Sequence, residues 1–310
     1  MKRYIRILII GMLLFVLSAC GGADTDGGVG VPSAETPAAV GTPTPEATPA
    51  PTPEPAAPAL ETATVSEREL FDEEGVVVTL RSLEFASGGR ADLNVLVENN
   101  SDDPMTVQVR DVSVNGIMFP STVFSSSVTP GNRRNDSVSF QSWGFERLGI
   151  TEIGTIELSF RVINDDNWDL SFNTETIVIP TSISEQVSQP LPETQELLFE
   201  QEGISISLIG IEEGRTDISV VFLIVNDTER NITIQARDES VNGFMISGIK
   251  STDVRPGMVA IDTLSFSERR LEENGITSIV DIEGIEFVLR IIDNDDWNAS
   301  FNTDVIRVTP

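Results

Sequence analysis

Histidine is missing from this chain, and cysteine and tyrosine occur once each, as Cys20 and Tyr4. A Ser-His-Asp triad, a Cys-His dyad and a histidine-based zinc site are therefore excluded, and one thiol cannot make a disulfide within the chain. Carboxylate-pair hydrolysis and oxygen-ligated calcium survive these exclusions. Positive charge is also scarce: 20 Lys and Arg stand against 49 Asp and Glu, a net charge of -29 over 310 residues. A chain this acidic is repelled by phosphates, so nucleic acid and anionic head groups are not expected as partners. No apolar run is long enough to span a bilayer as a helix; the longest near the start, Ile7 to Leu17, has eleven residues.

What is present begins with an address. Lys2, Arg3 and Arg6 precede that apolar run, the pattern of a signal peptide. Leu17-Ser18-Ala19-Cys20 then resembles the lipobox of bacterial lipoproteins. The resemblance implies cleavage before Cys20 and lipidation of its thiol, so that diacylglyceryl and palmitate-type chains tether the mature protein to a membrane, facing out of the cytoplasm. Two acyl chains, at about 0.8 kcal/mol per buried CH₂, hold stably where one is marginal. The alternative is an ordinary secretory signal with an incidental cysteine. Removing residues 1–19 leaves 17 basic against 49 acidic side chains.

From Cys20 to Ser66 there is no apolar periodicity, and nine prolines fall between Pro32 and Pro58. Such a segment cannot bury a core; it is expected to be disordered and extended, with polyproline II character. At roughly 3.1 Å per residue it reaches at most about 140 Å, enough to lift a domain clear of lipid.

Beyond it the chain is written twice. Ile163-Asn164-Asp165-Asp166-Asn167-Trp168-Asp169-Leu170-Ser171-Phe172-Asn173-Thr174 returns as Ile292-Asp293-Asn294-Asp295-Asp296-Trp297-Asn298-Ala299-Ser300-Phe301-Asn302-Thr303. Asn115-Gly116, Pro130-Gly131 and Gly149-Ile150-Thr151 return as Asn242-Gly243, Pro256-Gly257 and Gly275-Ile276-Thr277. Two copies of about 112 residues are a duplicated domain, not a solenoid. Within each, alternation has period two: Val76, Val78 and Leu80, then Leu93, Val95 and Val97, then Met105, Val107 and Val109, and later Ile156, Leu158, Phe160 and Val162. Asn-Gly between two such runs predicts a type I′ hairpin tip, and a glycine after Phe145-Glu146-Arg147-Leu148 predicts a left-handed helix cap.

Seven or eight short strands per copy predict an all-β protein: two tandem antiparallel Greek-key sandwiches of immunoglobulin-like type after the Pro-rich linker. The division is 1–19 signal peptide, 20–66 linker, 67–181 module 1, 182–196 second linker and 197–310 module 2. Glu98-Asn99-Asn100-Ser101-Asp102 after a strand, with Pro130-Gly131 before a strand ending at Phe140, resembles the telokin-like, immunoglobulin-related extracellular modules of bacterial lipoproteins. The resemblance implies fold and extracellular setting more than any activity.

Candidate sites are few. Trp168 and Trp297 occupy equivalent positions; facing out, each can stack on a sugar or anchor a partner, and facing in, each plugs a sandwich end with Phe172 or Phe301. Asp165, Asp166, Asp295 and Asp296 offer hard oxygens for calcium, but the spacing lacks the glycine and glutamate of an EF-hand, and Asx side chains also cap their own turns. Arg110-Asp111 and Arg237-Asp238 read as local ion pairs. No cofactor is called for. The expected function is non-catalytic, binding an envelope polymer or a surface protein or serving structurally; the alternative is a carbohydrate-active or envelope-modifying enzyme using a carboxylate pair.

Overall fold

The computed structural model describes residues 63–120 and 122–310. The signal segment, Cys20 and the linker up to residue 62 lie outside the described residues. The last linker residues do not extend away: Ala63 is buried, and the backbone of Thr64 accepts a hydrogen bond from Ser182 at 2.8 Å.

Module 1 contains β1 (Arg68–Glu73), β2 (Val76–Ala86), β3 (Arg90–Asn99), β4 (Met105–Val114), β5 (Ile117–Met118), β6 (Ser125–Val128), β7 (Arg133–Phe140), α1 (Ser142–Leu148), β8 (Thr155–Asn164), β9 (Phe172–Asn173) and β10 (Ile177–Pro180). Module 2 repeats the series as β11 (Glu196–Gln201), β12 (Ile204–Glu213), β13 (Asp217–Asn226), β14 (Ile232–Val241), β15 (Phe244–Met245), β16 (Ser251–Val254), β17 (Val259–Ser267), α2 (Glu268–Glu272), β18 (Ile285–Asp293), β19 (Phe301–Asn302) and β20 (Ile306–Val308). One sheet of module 1 runs β1-β2-β3-β7, and the facing one runs β10-β8-β4-β5, with β6 also on β4 and β9 on β8. The cores β2-β3-β7 and β10-β8-β4 have the A-B-E and G-F-C order of an immunoglobulin-like sandwich, with β1 added outside the first strand. The protein is all-β, as the alternation requires.

The residues that alternate inward make the cores. Val76, Val78, Leu80, Leu93, Val95, Ile156, Leu158 and Phe160 are at most 1% exposed, as are Ile204, Ile206, Val220, Phe222, Phe287 and Leu289 in module 2. Burying each such side chain stabilises by about 1.5–3 kcal/mol. Asn115 and Gly116 have φ of 53° and 80°, and Asn242 and Gly243 have 52° and 79°, so both tips are the predicted primed turns. Each asparagine also ties down a neighbouring loop: Asn115 Oδ1 accepts from Gly154 and Thr155, and Asn242 Oδ1 from Glu283 and Gly284. Gly149, at φ 62°, caps α1.

The Arg-Asp pairs are a correction. Neither Arg110 nor Arg237 pairs with the aspartate beside it; each donates instead to the glutamine two residues earlier. Asp111 and Asp238 sit at φ 50° and 53° inside register breaks between Arg110 and Ser113 and between Arg237 and Ser240. These are β-bulges. An aspartate tolerates the left-handed conformation better than most residues, and the Asp111 carboxylate accepts from Ser159 Oγ on the neighbouring strand at 3.1 Å. The bulge re-phases β4, so that Val109 and Val112, three apart, both face inward.

The modules are not beads on a string. The backbone N–H of Val259 donates to the carbonyl of Gly116 at 3.1 Å, and β17 pairs in parallel with β5 through Val259 and Ile117. This joins one sheet of each module into a single ten-stranded sheet. Val221, Leu223 and Ile261, on the outward face of module 2, are buried as part of the hydrophobic cluster of module 1.

Candidate functional site

The repeated hairpins are built from their capping residues upward. Asn164 Oδ1, at the end of β8, accepts the backbone N–H groups of Asp166 and Asn167 at 3.1 and 2.8 Å. Asn167 Oδ1 accepts from Asp169 and starts a 3₁₀ turn over Trp168–Leu170. In module 2, Asp293 Oδ1 accepts from Asp295 and Asp296 at 3.0 and 2.9 Å, and Asp296 Oδ1 accepts from Asn298 ahead of the turn Trp297–Ala299. The Asx-rich composition thus serves the backbone. Asp165, Asp166 and Asp295 are all exposed, and Asp165 also accepts a hydrogen bond from Thr106. Among the described residues no three Asp, Glu, His or Cys side chains converge as a metal site needs.

These capped turns hold Trp168 and Trp297 outward, 67% and 66% exposed. The inward packing expected of tryptophan with phenylalanine falls to phenylalanine alone. Phe172 packs on the core of module 1 and Phe301 on that of module 2, 6.0 Å from Phe199. The guanidinium of Arg290 lies 5.1 Å from the Trp297 ring centroid, a cation–π contact that orients the ring without covering it.

A second feature lies between the modules: an open cleft of about 880 Å³ whose lining includes Arg110, Asp111, Glu157, Arg161, Thr176 and Arg255. Arg255 is its anchor, only 7% exposed. It leaves module 2 to donate to Glu157 at 3.2 Å, Ser113 at 3.0 Å and Thr176 at 3.1 Å in module 1. Its buried Nε has no partner among the described residues. On another side, Arg147 of module 1 lies 3.9 Å from Asp262, which also holds Lys250 at 2.9 Å. Burial pushes the Lys250 ammonium below the usual lysine range, and the Asp262 carboxylate opposes that shift.

The sequence flagged the tryptophans and the Asx loops but not Arg255, Glu157 or Lys250. A signal was available. Arg255 stands where module 1 has Thr129, and Lys250 where it has the core residue Phe124. Positions at which the copies disagree in chemistry, not those at which they agree, mark the contact between them.

No family model matches the chain, and no curated protein does. Among solved structures it is similar to the YadV chaperone at 12% identity, covering 76% of this chain and 100% of that one, with a TM-score of 0.24. It is also similar to red sea bream transglutaminase at 12% identity, over 76% of this chain and 31% of that one, with a TM-score of 0.21. A protein of unknown function from Porphyromonas gingivalis W83 matches at 13% identity over 73% and 92% of the two chains, with a TM-score of 0.20. Scores this low carry no functional argument. Among the described residues no helix is long and apolar enough to cross a membrane.

Proposed function

We propose that this is a lipid-anchored cell-surface protein, tethered through Cys20 and carrying two joined β-sandwiches as one non-catalytic binding unit. The observation that carries the reading is the pair of equivalent tryptophans, about two-thirds exposed on turns whose side-chain caps fix them. An exposed indole on a rigid loop gives a large contact area at little ordering cost, which suits stacking on a saccharide ring or docking on protein. The lipobox-like Leu17-Ser18-Ala19-Cys20 supports the anchor, and the Pro-rich stretch supports display away from the membrane.

Titration of the mature lipidated chain in detergent with envelope polysaccharide, followed by isothermal titration calorimetry, tests the binding role. Replacing Trp168 and Trp297 with alanine should weaken binding by about tenfold or more. Unchanged affinity would remove the tryptophans from the interface, and polysaccharide turnover that a carboxylate substitution abolishes would favour the enzyme reading. For the anchor, Cys20→Ala should leave an unlipidated precursor that keeps residues 1–19, read by intact mass.

A further inference from the structure

The β4–β5 hairpin and its copy, β14–β15, share one internal construction and meet two different fates. In both, Asn-Gly makes the tip, the asparagine side chain ties down the loop that leads into β8 or β18, and the third residue past the glycine turns back into the core. That residue is Phe119, whose N–H donates to Val112, or Ile246, whose N–H donates to Glu239. The hairpins therefore share the same internal hydrogen bonds. At the tip of module 1, Ile117 is 1% exposed and pairs with the edge of β17, while Met118 packs against the core of module 2. Their equivalents, Phe244 and Met245, are 49% and 73% exposed.

The surroundings differ in the same direction. Val187 of the second linker packs against Gly154 beside the first tip, and Gln189 takes a hydrogen bond from Asn115. Near the second tip, the 3₁₀ turn Ile279–Asp281, which module 1 lacks, leaves Val280 87% exposed. The neighbouring Ile249 is not part of the contrast, since its equivalent, Val123, is just as exposed.

We propose that the β15 hairpin docks a second protein that offers the free edge strand of a β-sandwich with an apolar outward face. The occupant is read from the first tip: there the partner is the edge of β17, presenting Val259 to the hairpin and an outward face of Val221, Leu223 and Ile261. Gly243 occupies the place of Gly116, whose carbonyl receives the partner's N–H. A second copy of this chain does not supply that surface. Its β17 edge is taken by its own β5, and β7, the equivalent edge of module 1, carries exposed Arg133, Arg134 and Asn135 in place of Val259, Ala260 and Ile261. Charged residues on an edge strand discourage pairing.

The test uses the whole chain and a fluorescent peptide of residues 257–267, the edge strand the first hairpin recognises, extended by a lysine tail for solubility. Anisotropy should show saturable one-to-one binding that a scrambled peptide lacks. Phe244→Ser with Met245→Ser should weaken it by about tenfold or more without lowering the melting temperature. Met245→Lys gives the same reading should the double variant fold poorly. Absence of saturable binding, or binding that both variants retain, overturns the proposal. Concentration-dependent self-association in sedimentation, lost in these variants, would assign the surface to a second copy instead.

Discussion

The outward faces of two equivalent sheets differ in chemistry at four positions and agree at Leu96 and Leu223. On β3 and β7, module 1 shows Asn94, Glu98, Arg133 and Asn135; on β13 and β17, module 2 places Val221, Val225, Val259 and Ile261 at the same positions. Inward, the two sheets are interchangeable, with Leu93, Val95 and Val97 answered by Val220, Phe222 and Ile224. A duplicated domain keeps its inner pattern because each copy must bury its own core. The outer pattern is free to diverge, and here it records which face meets solvent and which meets the other copy.

The largest effect on that comparison is expected from Arg255. Arg255→Ala leaves the part-buried Glu157 without its cation and removes the bonds to Ser113 and Thr176, a loss at the lower end of the about 3–5 kcal/mol that breaking a buried pair costs. Calorimetry should then resolve two transitions in place of one, because the modules lose their main polar tie. A single transition at the wild-type temperature would mean that strand pairing and apolar contact suffice alone.

Ile261→Asn gives module 2 the residue that module 1 carries at Asn135. It removes a buried side chain and puts a polar group into the cluster of module 1, a loss of about 3 kcal/mol in chemical denaturation. The reverse change, Asn135→Ile, lies on an exposed face and should alter stability by no more than about 0.5 kcal/mol. Equal effects at the two positions would erase the distinction between the faces.

The smallest effect separates the two capped hairpins. The carboxyl of Asp293 is held below its ordinary value chiefly by the N–H of Asp296, with Asp295 and Arg230 assisting and its own desolvation opposing. A carboxyl whose folded value lies below its unfolded one adds stability above about pH 4, and that stability is lost as pH falls through the folded value. Asn164 makes the same two contacts and does not titrate. Acid should therefore loosen the module 2 hairpin before that of module 1, seen as earlier amide exchange around Asp295 and Asp296. Asp293→Asn should remove the difference; if it persists, the carboxyl is not its source.

Local rules made most of this molecule legible in its sequence. Period-two alternation gives the strands and their inner faces, since a strand's side chains alternate sides whatever lies beyond it. Asn-Gly and the glycine after α1 give turns of known hand, since few residues accept positive φ. The duplication gives two sandwiches. What the sequence misread was set by contacts between distant residues. Arg110-Asp111 looked like an ion pair because adjacent opposite charges invite that reading, but the register of β4 against β8 needed an extra residue there and took the aspartate for its backbone. The direction of Trp168 and Trp297 was open because alternation stops at a 3₁₀ turn, and only the capped turn decided it. The second linker, 182–196, gave no hint that the modules it connects share a sheet. That depended on Ile117 meeting Val259 and Arg255 reaching Glu157, across 142 and 98 residues. Burial against another module obeys no period along the chain, so only the tertiary structure decided which apolar face was covered and which hairpin was left open.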